Sequence, residues 1–208
     1  MRYRAVFLIL LVFVIAANIF YFSRSKQTSA IKIDGVYLTK PTDIADFQLT
    51  DNKGKIFTKT NLTGHWTFLF FGFTNCGMVC PTTMAALNNM HKILEKDLPQ
   101  DQLPQVVLVS VDPERDTTQR INEYVKAFNP HFIGARGDMA ATTALEKQLH
   151  IISVKMLADG QGKNHYTINH SAEIMLFNPS AKLQAFLSYP HQAEQMANDY
   201  KLIIGNAS

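Results

Sequence analysis

The chain opens on an unbroken apolar run, Ala5 to Phe22, whose only strongly polar member is Asn18. As a helix this run would reach about 27 Å, enough to cross a hydrocarbon core. Arg2 and Arg4 precede it, and Arg24 and Lys26 follow it. It is longer than the roughly 7–15 residues of a cleavable signal core, and no small-x-small site closes it. The pattern therefore predicts an uncleaved signal anchor over residues 1–26, a single transmembrane helix. The flanking charges are too balanced for the positive-inside rule to orient it. One span nevertheless puts the whole body on one side. The simplest picture is a bacterial inner-membrane anchor with the soluble domain in the periplasm or on the outer face.

After the anchor the pattern turns polar. Ser23 to Lys40 lacks periodicity and reads as a stalk, with 27–40 as the linker and 41–208 as one domain. Phe47–Thr50 and Lys55–Thr58, joined through Asp51-Asn52-Lys53-Gly54, read as a β-hairpin. Thr67 to Phe73 is a continuous aromatic and aliphatic run, the signature of a strand buried on both faces. A helical pattern follows from about Thr82 to Leu94. Gln105–Val111 is a second buried strand, and Thr117–Phe128 an amphipathic helix with Ile121, Tyr124, Val125 and Phe128 on one face. His131–Ala135 reads as a short strand and Met139–Leu149 as a helix. Ile174–Phe177 and Leu183–Leu187 are strands about the turn Asn178-Pro179-Ser180-Ala181, and His191–Ile203 closes the chain as a helix. This order predicts an α/β fold with a mixed central sheet flanked by helices, plus an N-terminal β-hairpin.

Composition narrows the classes. The 208 residues are 47% hydrophobic and 18% charged, which excludes a disordered chain. The net charge of +3 comes from the anchor, which holds four basic residues and no acid. The body is close to neutral, so no nucleic-acid partner is expected. Two cysteines exclude a four-cysteine zinc site and a multi-bridge scaffold.

Those two cysteines carry the chemistry. Cys76 and Cys80 lie in Thr74-Asn75-Cys76-Gly77-Met78-Val79-Cys80-Pro81, between a buried strand and a helix. Pro81 suits the first helical position. The cysteines then sit at a helix N-terminus, where unpaired N–H groups favour thiolate. Thioredoxin-type pairs have two intervening residues and this pair has three. In a helical turn that spacing holds Cβ atoms about 5–6 Å apart, against roughly 3.5–4.5 Å in a disulfide. A bridge needs the loop to adjust, whereas two separate sulfurs can converge on one soft ion such as Cu(I) or zinc. A third ligand must then come from elsewhere. Of seven histidines, His170 stands just before the strand Ile174–Phe177, in a loop able to face the cysteines. His165, in the polar stretch Gly160–Thr167, is the alternative. His91 is about three helical turns beyond Cys80 and too far. Met78 offers a thioether, although a packing or exposed loop role suits it better. Asp112, Glu114 and Arg115 form a charged loop. It either orients the site or a partner, or simply makes a turn capped by Asp116 or Thr117.

Three blocks, Phe73–Pro81, Val109–Thr117 and Asn169–Pro179, resemble in order and spacing the Sco/SenC family. These are membrane-anchored, thioredoxin-like copper proteins of cytochrome c oxidase assembly. The resemblance covers roughly residues 40–205 and implies a thioredoxin-like copper-binding domain over 41–208. It maps the family's copper ligands onto Cys76, Cys80 and His170, and its Asp after the second buried strand onto Asp112. The chain departs from the family where Gly77 replaces a usual Pro, Met78 an acid and Asn169 an Asp, so the loop loses negative charge and gains freedom.

The resemblance implies a metallochaperone rather than an enzyme. It would hold one copper, as Cu(I), Cu(II) or both, and deliver it to the dinuclear copper site of cytochrome c oxidase. Its partners would be the copper-site subunit and other copper or thiol assembly factors. Oxidation of the cysteines to a disulfide would release the metal. The alternative is a thiol–disulfide oxidoreductase in which Cys76 and Cys80 are a redox pair reducing the oxidase's copper-site cysteines or other extracytoplasmic thiols.

Overall fold

A computed structural model describes residues 31–157 and 166–206. The anchor expected over 1–26, the first part of the stalk and His165 lie outside the described residues. Among the described residues no helix is long and apolar enough to cross a membrane.

The strands are β1 (Gly35–Thr42), β2 (Gln48–Asp51), β3 (Ile56–Thr58), β4 (Thr67–Gly72), β5 (Gln105–Ser110), β6 (Ile133–Arg136), β7 (Ser153–Leu157), β8 (Tyr166–His170), β9 (Ile174–Phe177) and β10 (Leu183–Leu187). The helices are α1 (Val79–Asp97), α2 (Thr118–Phe128), α3 (Met139–Gln148) and α4 (Ala193–Asn206). Eight strands form one sheet in the order β1-β10-β9-β4-β5-β6-β2-β3. β4, β5 and β6 run parallel, while β9 pairs antiparallel with β4. The sheet is therefore mixed, as its alternating pattern predicts, and the expected hairpin β2–β3 extends the β6 edge. Every residue of β4 and of β9 is buried, which explains their unbroken apolar sequences. α1 packs against α4, and α2 against β6.

Three expectations need correction. The polar stretch ending at Lys40 is not all stalk, because β1 pairs with β10 from Gly35 onward. It is an edge strand, mostly exposed, so it carries no apolar alternation to read. The helix after the cysteines starts at Val79, so Pro81 stands in its first turn but not at its first position. Finally, His170 ends a strand rather than lying in a loop. β7 and β8 form a separate two-stranded ladder in which Ser153 faces His170. Val154, Met156 and Leu157 are exposed, so this hairpin lacks the core-facing pattern that betrays a strand.

The topology creates the site. Gly72 at the end of β4 is level with Ser110 at the end of β5, and Phe70 with Ile174 at the start of β9. The cysteine loop leaves this rim of the sheet, and the chain bearing His170 arrives at it.

Candidate metal centre

The cysteine loop takes its shape from three fixed points. Phe73, just past β4, is buried, and its carbonyl accepts the Cys76 N–H at 3.3 Å. Thr74 is held by Asp116, whose carboxylate accepts the Thr74 N–H at 3.2 Å and its hydroxyl at 2.5 Å. The same carboxylate accepts the Ser110 hydroxyl at 2.6 Å. Arg120 reaches back from α2 to Thr74 Oγ1 at 2.8 Å and to the Asn75 side-chain oxygen. Asp116 is thus a loop anchor, and Thr117 is the residue that caps α2, accepting the Arg120 N–H at 3.1 Å.

α1 has no side-chain oxygen at its N-cap, Met78. Instead Cys76 Sγ accepts the Cys80 N–H at 3.3 Å, a sulfur doing what a Ser or Asp oxygen does at other helix starts. Cys80, inside the first turn, is fully buried. Its sulfur packs on Gly72, where an added Cβ would come 3.3 Å from Cys80 Sγ and 2.9 Å from both Leu108 and Phe70. Only a residue without a side chain leaves room there for the thiol.

His170 closes the cluster. Its Nε2 lies 3.5 Å from Cys80 Sγ. Its Nδ1 is 2.8 Å from the Ser171 carbonyl. A carbonyl can only accept, so Nδ1 carries the proton and Nε2 presents a lone pair towards the sulfurs. A backbone acceptor on the second ring nitrogen is the usual support of a metal-ligating histidine. Phe70 and Phe73 meet the imidazole edge-on, each with its ring centroid at 5.9 Å. The donor atoms of Cys76, Cys80 and His170 all lie within 4.8 Å of one another. Three donors around one ion, with bonds of about 2.0–2.3 Å, are separated by roughly 3.5–4.0 Å, so slight contraction satisfies the arrangement. Among the described residues it is the only group of three or more His, Cys, Asp or Glu side chains so placed.

Both cysteines are free thiols, and they differ electrostatically. A hydrogen bond from the Cys80 thiol, joined by the N–H groups of Cys80 and Met78, holds Cys76 down at about 4 against the opposing effect of burial. Cys80 moves the other way, raised first by its hydrogen bond to Cys76 and then by burial. The half-buried sulfur is thus the thiolate of the pair, and the buried one carries the proton.

The remaining candidates fall elsewhere. His91 is buried along α1 beside Glu95 at 3.3 Å and against Phe132. Met78 is 75% exposed. Asp112 is buried but engaged by Tyr166 and Arg115. Gly72, Phe70, Asp116, Arg120 and Tyr166 support the site without having been legible as its parts. A glycine closing a buried strand was the one available signal.

A mixed-sheet α/β core with a Cys-x-x-x-Cys helix start at its rim, facing a histidine, defines a thioredoxin-like protein with a candidate sulfur and nitrogen metal site. Residues 37–205 match the sequence model of the SCO1/SenC family. Over 174 residues the chain is 30% identical to the mitochondrial SCO1 homolog 1 of Arabidopsis thaliana, covering 84% of this chain and 50% of that protein. The fold is similar to Arabidopsis thaliana ScoI with copper bound, at a TM-score of 0.70 and 30% identity, covering 77% of this chain and 98% of that one. It is also similar to apo Sco1 from Thermus thermophilus, at a TM-score of 0.71 and 28% identity, covering 84% and 99%. The chain belongs to the SCO1/SenC family, and it spans half the length of the Arabidopsis relative.

Proposed function

We propose that this protein is a copper metallochaperone that holds one copper ion on Cys76, Cys80 and His170. The observation that carries the reading is the convergence of two sulfurs and one imidazole nitrogen within 4.8 Å. Soft sulfur suits Cu(I), and the imidazole adds affinity for Cu(II). Three ligands leave an open side, next to the exposed Gly77 and Met78, where an acceptor can take the ion by ligand exchange. Oxidation of the cysteines to a disulfide removes both sulfur donors, so redox state gates loading. Family membership and the copper-bound Arabidopsis relative support the choice of metal. The acceptor we propose is the dinuclear copper site of cytochrome c oxidase, reached directly or through other assembly factors. The predicted anchor would keep the domain at the membrane where that acceptor resides.

The test is Cu(I) titration of the reduced full chain in detergent. One ion per chain is expected, with binding lost in Cys80→Ser and weakened in His170→Ala. Unchanged affinity in His170→Ala removes that residue from the ligand set.

A second reading has its own support in the unequal thiols. Cys76 thiolate could attack a partner's disulfide, displacing one partner thiolate and forming a mixed disulfide. Cys80, after losing its proton, would then attack Cys76 sulfur, release the second partner thiol and leave a Cys76–Cys80 disulfide. This oxidoreductase needs no imidazole ligand. Retained function in His170→Ala, with loss in either cysteine variant, selects it.

A further inference from the structure

The turn Asp112–Asp116 touches both halves of the candidate site. On one side Asp116 holds Thr74, two residues before Cys76. On the other side the turn grips the strand that ends in His170. Tyr166, at the start of β8, donates its hydroxyl to Asp112 Oδ1 at 2.6 Å. Arg115 Nε donates to the other oxygen of Asp112 at 2.5 Å, and its Nη1 donates to the Tyr166 carbonyl at 2.9 Å. The guanidinium carbon stands 3.5 Å from the Tyr166 ring centroid, with Lys155 Nζ also 3.7 Å from that centroid. Lys155 is itself tied to Glu114 at 2.8 Å. Arg115 also lies 5.9 Å from the centroid of Phe73, the ring that packs on the His170 imidazole.

This grip matters because the β7–β8 ladder pairs with no strand of the main sheet. At its base Ser171 N–H bonds to the Ile152 carbonyl. Further along β8 the hairpin is held by side chains, and Tyr166 is the buried one. We propose that Arg115 and Tyr166 are positioning residues for His170. Their contacts fix β8 to the turn that also fixes the cysteine loop, so one turn sets the distance between imidazole and sulfurs. The proposal rests on His170 being a copper ligand.

The experiment is a double-mutant cycle in the full chain, reading Cu(I) affinity by competition with a chromophoric chelator. Arg115→Ala should weaken Cu(I) binding by about tenfold or more, the range found when groups supporting a ligand are removed. In the His170→Ala background the same change should have no further effect. Tyr166→Phe, which deletes one hydroxyl and keeps the ring, should give a smaller loss with the same dependence on His170. Amide exchange on the metal-free chain supplies a second readout. Protection at Thr167 and Asn169, whose N–H groups face β7 in this register, should fall in Arg115→Ala while protection in β4 and β5 stays as in the parent. Equal losses of affinity with and without His170, or unchanged affinity and exchange in both variants, would overturn the positioning role and leave the ligand assignment standing. No effect of His170→Ala alone would instead overturn the ligand assignment beneath it.

Discussion

His170 Nε2 lies 3.5 Å from Cys80 Sγ across 90 positions of sequence. The two atoms arrive by different routes. Cys80 comes with the first turn of α1, set directly after the buried β4. His170 comes at the end of a strand outside the main sheet, whose last residue precedes β9 by a short link.

The asymmetry of the thiols gives a pH prediction for the metal-free protein. Cys76 is held at about 4, first by the Cys80 thiol, so its alkylation rate should stay nearly flat from pH 8 to 5 and fall as the pH approaches about 4. Cys80, buried and raised, should alkylate only on unfolding. The linkage has a definite sign. A depressed thiol pKa adds stability that is fully present above the ordinary thiol value, about 8.5, and is lost as pH falls through the folded value. Between these limits stability to urea should rise with pH. The raised Cys80 acts in the opposite sense only above the ordinary thiol range. A Cys76→Ser variant should lose this slope.

Gly72→Ala should disturb the sulfur directly. The new methyl would meet Leu108 and Phe70 at 2.9 Å and Cys80 Sγ at 3.3 Å. Overpacking of this kind costs about 1–3 kcal/mol, measurable by urea denaturation. Copper affinity should fall with it, since the thiol must move off the strand end.

Gly77 offers the opposite case. Nothing lies within 4 Å of a Cβ built there, and its backbone angle is not in the left-handed region. Gly77→Ala should be neutral or stabilising by about 0.4–1 kcal/mol, through a less flexible unfolded chain. Thermal unfolding of the metal-free protein checks it.

Asp116→Ala should be among the most damaging single changes away from the ligands. It leaves the Thr74 N–H, the Thr74 hydroxyl and the Ser110 hydroxyl without their acceptor. Orphaned buried donors cost about 1–3 kcal/mol each. A loss on the order of 3 kcal/mol in urea is expected, since Thr74 is only half-buried and water can take up part of its donors.

Much of the site was legible because its signals are local. A buried run, a tight cysteine pair and a helix pattern lie in one stretch of chain, and their meaning survives without tertiary knowledge. The helix start was misplaced because its cap is a sulfur, Cys76, rather than a Ser, Asp or Asn. β1 and the β7–β8 hairpin escaped notice for another reason. Periodicity reports burial of one face, and these strands bury little. Tyr166 meeting Asp112, 54 residues away, leaves no trace in sequence at all. Its place just before the strand Ile174–Phe177 put His170 ahead of His165, and the resemblance of three blocks to a family strengthened that choice.

The two sulfurs also differ in depth. Cys76 is half open to solvent and Cys80 is sealed beneath it. On the proposed copper-carrier reading, an acceptor coming from outside would compete first for the shallow donor and last for the sealed one. A hand-over from this site would follow a fixed sequence of departures, with Cys80 as the last tether to let go.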